Sequence, residues 1–142
     1  MNPPVRDRNA MIAGMSPVRR DGVFHFCSMP EAVNPEVLAI AIGTFREDEG
    51  LSLILPETAA LEQGVTTNQP MACITLNVFS ALDGVGLTAA VAQVLADAGI
   101  PCNMVAAFHH DHAFVPIAMA DKAVALLINL ARGTGSGSEP TR

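Results

Sequence analysis

The chain has 142 residues, half of them apolar, with a net charge of −6 at neutral pH and neither Trp nor Tyr. That length can bury roughly two-thirds of the unfolded surface, in one core or two small fused ones. The negative charge and the absence of Trp and Tyr argue against a nucleic-acid surface, and no stretch approaches the roughly 18 apolar residues of a membrane span.

In chain order, Met1–Asn9 reads as loose and, with Arg6, Asp7 and Arg8, lacks the basic-then-apolar pattern of a signal peptide. Val23–Cys27 (VFHFC) alternates Phe24 and Phe26 against Val23, His25 and Cys27, a strand period. A Pro-containing link, Met29–Pro35, follows. Ile40–Arg46 and Leu51–Leu55 are expected as two strands joined by EDEG, where Gly50 takes the positive φ of a tight hairpin. Pro56–Gln63 predicts a short helix stopped by Gly64.

The second half opens with the strand Cys73–Phe79, with Ile74, Leu76 and Val78 on one side and Thr75 and Asn77 on the other. Leu87–Ala98 carries the clearest helical stripe (Leu87, Val91, Val94, Leu95, Ala98), with Gly99 at its stop. Cys102–Phe108 and Ala113–Pro116 predict a hairpin around HHDH, and Met119–Arg132 a closing helix with Asp121 and Arg132 suiting its dipole. The Gly/Ser-rich end, Gly133–Arg142, predicts a disordered tail.

Each half therefore runs strand, connection, hairpin, helix. TFREDEGLSLILP (Thr44–Pro56) also echoes AFHHDHAFVP (Ala107–Pro116), which points to internal duplication. The layout suits an α+β, ferredoxin-like (βαββα) fold, with antiparallel sheets and helices on one face. The units are expected at 10–66 and 71–132, followed by the tail at 133–142.

Cys27, Cys73 and Cys102 lie in apolar, strand-like runs without metal-type spacing. An odd, irregular set suits core thiols in a reducing, cytoplasmic compartment.

Two segments could carry chemistry. In Ser80–Thr88 (SALDGVGLT) two glycines let backbone approach a ligand, and the free N–H groups at the helix start favour an anion. Asp83 has two readings there, as the helix cap or as a ligand contact. His109, His110, Asp111 and His112 read as polar turn residues, as a ligand contact through Asp111, or as metal ligands. Strand alternation puts only His110 and His112 on one side, so no metal is assigned. No nucleophile–base motif or phosphate loop is present, and Glu47, Asp48 and Glu49 read as a solvated turn. No catalytic residue and no cofactor are expected.

LDGVGLTAAVAQVLADAGIPCNMVAAF and, above all, DHAFVP (Asp111–Pro116) resemble the ACT domain of aspartokinase-like regulators and cytosolic arginine sensors. VFHFC and TFREDEGLSLILP are similar to the N-terminal ACT-like partner of small stand-alone bacterial proteins. The resemblance implies two ACT-like units in tandem, regulatory rather than enzymatic, binding a small molecule such as an amino acid between units. It implies Asp83, Gly84, Val85, Gly86 and Leu87 on the ligand's backbone groups, Asn103, Met104 and Val105 along the neighbouring strand edge, and Asp111 toward its side chain. Gly84 stands where the arginine sensors carry an acidic residue, and Asp83 is the nearest substitute. Sheet edges or ACT–ACT interfaces offer routes to a homodimer. The alternative is a ligand-free protein–protein interaction module of the same fold.

Overall fold

The computed structural model describes residues 3–30, 32–79 and 81–136. It begins with α1 (Arg8–Ala13), β1 (Val18–Arg19), β2 (Phe24–Met29), α2 (Pro35–Ile40) and β3 (Gly43–Glu47). It continues with β4 (Gly50–Pro56), α3 (Glu57–Gln63), β5 (Met71–Thr75) and α4 (Leu87–Asp97). It ends with β6 (Asn103–Ala106), β7 (Asp111–Pro116), a 3₁₀ turn and α5 (Ala120–Ser136). The chain divides into an inserted unit, Asp21–Ala72, and a split unit made of the flanking segments up to Arg20 and from Cys73. This is the expected antiparallel sheet-and-helix architecture of two tandem units.

In the inserted unit β4 lies between β3 and β2, antiparallel to both. The odd-numbered residues of β2 and β4 face the helices. Cys27, Leu53 and Leu55 close a core with Val37 of α2 and Ala59 and Ala60 of α3. His25, on the same face, is 2% exposed yet fully partnered. The Thr67 N–H donates to its Nδ1 at 3.1 Å, and Nε2 lies 3.1 Å from Oε1 of Glu57, where α3 begins. A backbone donor on Nδ1 requires a lone pair there, so Nε2 carries the proton and donates to the carboxylate. This pins the 65–70 connector to β2.

The helix α2 falls on the link and first strand positions of the sequence reading. Its signals were local: Asn34 Oδ1 accepts the Glu36 N–H at 2.9 Å and Pro35 occupies the first turn. The strand β3 accordingly starts at Gly43, three residues later than expected.

In the split unit the strand order is β1–β5–β7–β6. α4 buries Leu87, Ala90, Val91 and Leu95, and α5 buries Ala120, Ala123, Leu127 and Ala131. Against them packs α1, with Met11 1% and Ile12 0% exposed. Residues 3–9 are thus not loose. Asp7 Oδ2 caps α1 at the Ala10 N–H (2.9 Å), and Val5 exchanges backbone hydrogen bonds with Phe79 and Ala81. Two apolar side chains and a paired backbone outweigh the entropy of ordering this short segment. Contact also groups these residues with the split unit.

α5 runs to Ser136, four residues past the expected stop at Arg132. A glycine such as Gly133 costs about 1 kcal/mol in a helix, which a preceding buried stripe can carry. The rest of the expected tail, 137–142, lies outside the described residues. The strand β5 ends at Thr75, not Phe79, because Asn77 turns out of it at φ 49° and its Nδ2 donates to the Ser16 carbonyl at 3.0 Å.

The two hairpins share one register. Pro56 and Pro116 close β4 and β7 and differ by 60, and the same offset carries Gly43↔Ile54 onto Asn103↔Phe114 and Arg46↔Leu51 onto Ala106↔Asp111. The internal echo is therefore real in the returning strand, but Phe45 corresponds to Val105, and Phe108 belongs to the turn.

Candidate functional site

The polypeptide leaving β5 turns at Asn77, pairs with the N-terminal segment and enters α4 through Gly84, Val85 and Gly86. Gly86 is the helix cap, at φ 108° and ψ −14°, and no side chain caps the first N–H groups of α4. Asp83 therefore does not cap the helix. It pairs instead with Arg6, whose Nε donates to Oδ1 at 2.9 Å on the open surface. A Cβ on Gly86 would lie 2.7 Å from Cδ of Arg8, and one on Gly84 3.0 Å from Sδ of Met11. Both glycines admit the close passage of α1 over the loop, and Gly86 is also called for by its backbone angle.

Below this loop lies a hollow of about 140 Å³, lined by Met11, Gly84, Gly86, Leu87, Thr88 and Asp111, with Ala81, Leu82, Ala106 and Ala107 completing the wall. The fold thus brings together Gly84, Gly86, Leu87 and Asp111 from distant stretches. Val85 is 79% exposed. Asn103 is exposed and Met104 and Val105 are half-buried on β6, outside the lining; the hairpin residues Ala106 and Ala107 take that place. Ser80 lies outside the described residues. Ala81, Leu82 and Thr88 fall within the Ser80–Thr88 loop without having been named as contacts, and Met11, Ala106 and Ala107 were not anticipated. Only the loop's own neighbours (Ala81, Leu82, Thr88) and the residues just before HHDH (Ala106, Ala107) carried a signal. Met11 reaches the hollow through tertiary packing alone.

The histidine run divides in the structure. His109 and His110 form the turn, while Asp111 and His112 open β7. His112 Nδ1 lies 2.9 Å from Oγ1 of Thr75, and burial pushes its pKa down, helped by Arg20 and His110 and opposed by Asp111. His109 stacks among Phe79 and Phe108, with centroids 5.7 and 4.9 Å away. Among the described residues no group of three His, Cys, Asp or Glu is placed to hold a metal ion. Burial raises the thiol pKa of Cys27, Cys73 and Cys102, so all three favour the unreactive protonated form. Among the described residues no helix is long and apolar enough to cross a membrane.

Comparison with known proteins divides the chain in sequence order, with residues 3–20 in the first match. Residues 3–72 and residues 69–129 each match a family model described as an ACT domain. A protein of unknown function from Vibrio cholerae, described as a possible transport protein, is 38% identical with a TM-score of 0.77, over 87% of this chain and 94% of its own. A protein from Agobacterium tumefaciens is 24% identical, TM-score 0.66, over 82% of this chain and 89% of its own. The regulatory subunit of aspartate kinase from Thermus flavus shares the fold at 12% identity, TM-score 0.51, over 82% of this chain and 96% of its own. No curated protein sequence matches. With a tandem pair of matched domains and a 38% identical relative of nearly equal length, the chain belongs to the ACT-domain family, whose members are typically regulatory, ligand-binding modules.

Proposed function

We propose that this chain is a cytoplasmic regulatory protein that binds a small amino acid in the hollow of the split unit. The observation that carries the reading is the convergence of uncapped α4 N–H groups and the Asp111 carboxylate on one hollow of about 140 Å³. The helix start attracts a carboxylate, and Asp111 attracts an ammonium group. A zwitterion presents both. Asp83 and Val85 lie exposed on the same loop, and β6 is the outer strand of this unit's sheet. A second ACT unit docked on that edge, in a homodimer, would bring Asn103, Met104 and Val105 to the ligand. Regulation then follows from differential affinity of the ligand for the docked and free states. The matched domains are regulatory modules, and nothing in the site calls for a catalytic step.

A specific observation favours one other reading, a ligand-free interaction module. Leu82, Val85 and Phe108 are 75%, 79% and 67% exposed beside the same loop, an apolar surface of the kind that docks proteins. Thermal unfolding against the twenty amino acids at millimolar concentration separates the two. A ligand at about a hundred times its Kd adds about 2.7 kcal/mol, and Asp111→Asn should remove the shift. A flat panel would sink the sensor reading.

A further inference from the structure

The inserted unit contains a larger hollow, about 750 Å³, at the corresponding end of its hairpin. The 60-residue offset that superposes the hairpins makes the correspondence residue by residue. Ala106, Ala107 and Asp111 of the smaller hollow become Arg46, Glu47 and Leu51 in the larger one, and all six line their respective walls. The position is retained while the chemistry is exchanged.

The composition of the larger hollow is specific. Met29, Val33 and Leu51 form its floor, and all three are half-buried side chains packed against the unit's core. Leu38 of α2, 42% exposed, adds an apolar wall. Thr44 and Arg46 alternate with Phe45 along β3, so they share the face that carries the core, yet both remain exposed. Among the described residues the Arg46 side chain makes no hydrogen bond or ion pair. Glu47 is held by the hydroxyl of Ser52. Gly50 lets the backbone at Pro30 pack closely against the turn: at φ 146° a Cβ there would lie 2.9 Å from Cα of Pro30.

An unpaired guanidinium at the rim of an apolar trough matches a molecule with a carboxylate at one end and an apolar body at the other. We propose that the inserted unit holds a second binding site, selective for a carboxylate bearing an apolar side chain, with Arg46 taking the carboxylate and Met29, Val33, Leu38 and Leu51 the side chain. The hollow of the split unit, about five times smaller and carrying Asp111, rejects such a body by size. An amino acid and its 2-oxo acid share this chemistry. They differ only at the 2-position, an ammonium group in one and an oxo group in the other.

Calorimetric titration of the full chain with L-leucine, L-methionine, 4-methyl-2-oxopentanoate and leucinamide tests this. Binding of an apolar carboxylate, no binding of leucinamide, and at least tenfold weaker binding by Arg46→Ala are expected, the loss of one charge-assisted pair. Leucine binding above its oxo acid assigns the site to amino acids; the reverse order assigns it to oxo acids. Asp111→Asn should leave these affinities within twofold. Arg46 is exposed, so the variant keeps the fold, and an unchanged unfolding temperature verifies that. Equal binding by wild type and Arg46→Ala, or no binding of any apolar carboxylate, would overturn the second site. Loss through Asp111→Asn alone would overturn it too, while leaving the reading of the smaller hollow standing.

Discussion

Replacing Gly86 by Ala perturbs the loop that shapes the smaller hollow, and its cost can be worked from the backbone. At φ 108° and ψ −14° an L-residue sits outside its favoured wells, at a cost of about 1–3 kcal/mol. The new methyl also meets Cδ and Cγ of Arg8 at 2.7 and 2.8 Å, well inside the normal 3.5–4.0 Å carbon contact. Arg8 is exposed and can swing aside, so the steric part is the smaller one. At about 2–4 °C per kcal/mol for a chain of this size, Gly86→Ala should lower Tm by about 3–10 °C. Thermal unfolding followed by far-UV circular dichroism measures this, with Arg8→Ala and the double variant completing a cycle. The double variant should recover only a minor share of the loss, because removing Arg8 leaves the backbone angle unchanged. An unchanged Tm in Gly86→Ala would refute the reasoning, since the loop would then not need glycine.

Other outcomes follow from the same structure. His112 has a pKa depressed below its usual 6.5, chiefly by burial. The unfolded chain therefore binds the proton more readily, and this group's contribution is present above about 6.5 and lost as pH falls below it. His112→Gln, which keeps a partner for Thr75, should flatten Tm against pH between the depressed value and 6.5; an unaltered slope would contradict this. His25→Ala strips the Thr67 N–H and Glu57 of their shared partner and leaves a cavity, for a loss of about 2–4 kcal/mol in chemical denaturation. Leu127→Ala, at a fully buried site on α5, should cost about 2–5 kcal/mol by the same assay.

Where a single element carried its own signal, the sequence was readable. The α4 stripe of Leu87, Val91 and Leu95, the stop at Gly64 and the hairpin turn at Gly50 all follow from local periodicity and turn chemistry, and all appear in the structure. What escaped depended on distant partners. α1 is too short to declare itself by period, and Met11 and Ile12 acquire meaning only through α4 and α5. The insertion of residues 21–72 into the second unit is likewise a matter of packing, since strand order says nothing about which unit captures the N-terminus. At the hollow, Gly84, Gly86 and Asp111 were legible because glycines before a helix and a carboxylate after a hairpin have few other uses. Asp83 had two local readings, cap or ligand contact, and its pairing with Arg6, 77 positions away, was not visible in the sequence. The exchanged chemistry at Arg46 and Leu51 became visible only once strand register fixed the offset between the hairpins.

The most direct test of ligand binding in the split unit is a titration of the isotope-labelled chain with each amino acid, read from backbone amide resonances. At least one amino acid should move the signals of Gly84, Gly86, Leu87, Thr88 and Asp111 in a saturable way at millimolar concentration or below. If none of the twenty moves those signals, or if saturable shifts fall only elsewhere, the hollow beneath the glycine loop is not an amino-acid site.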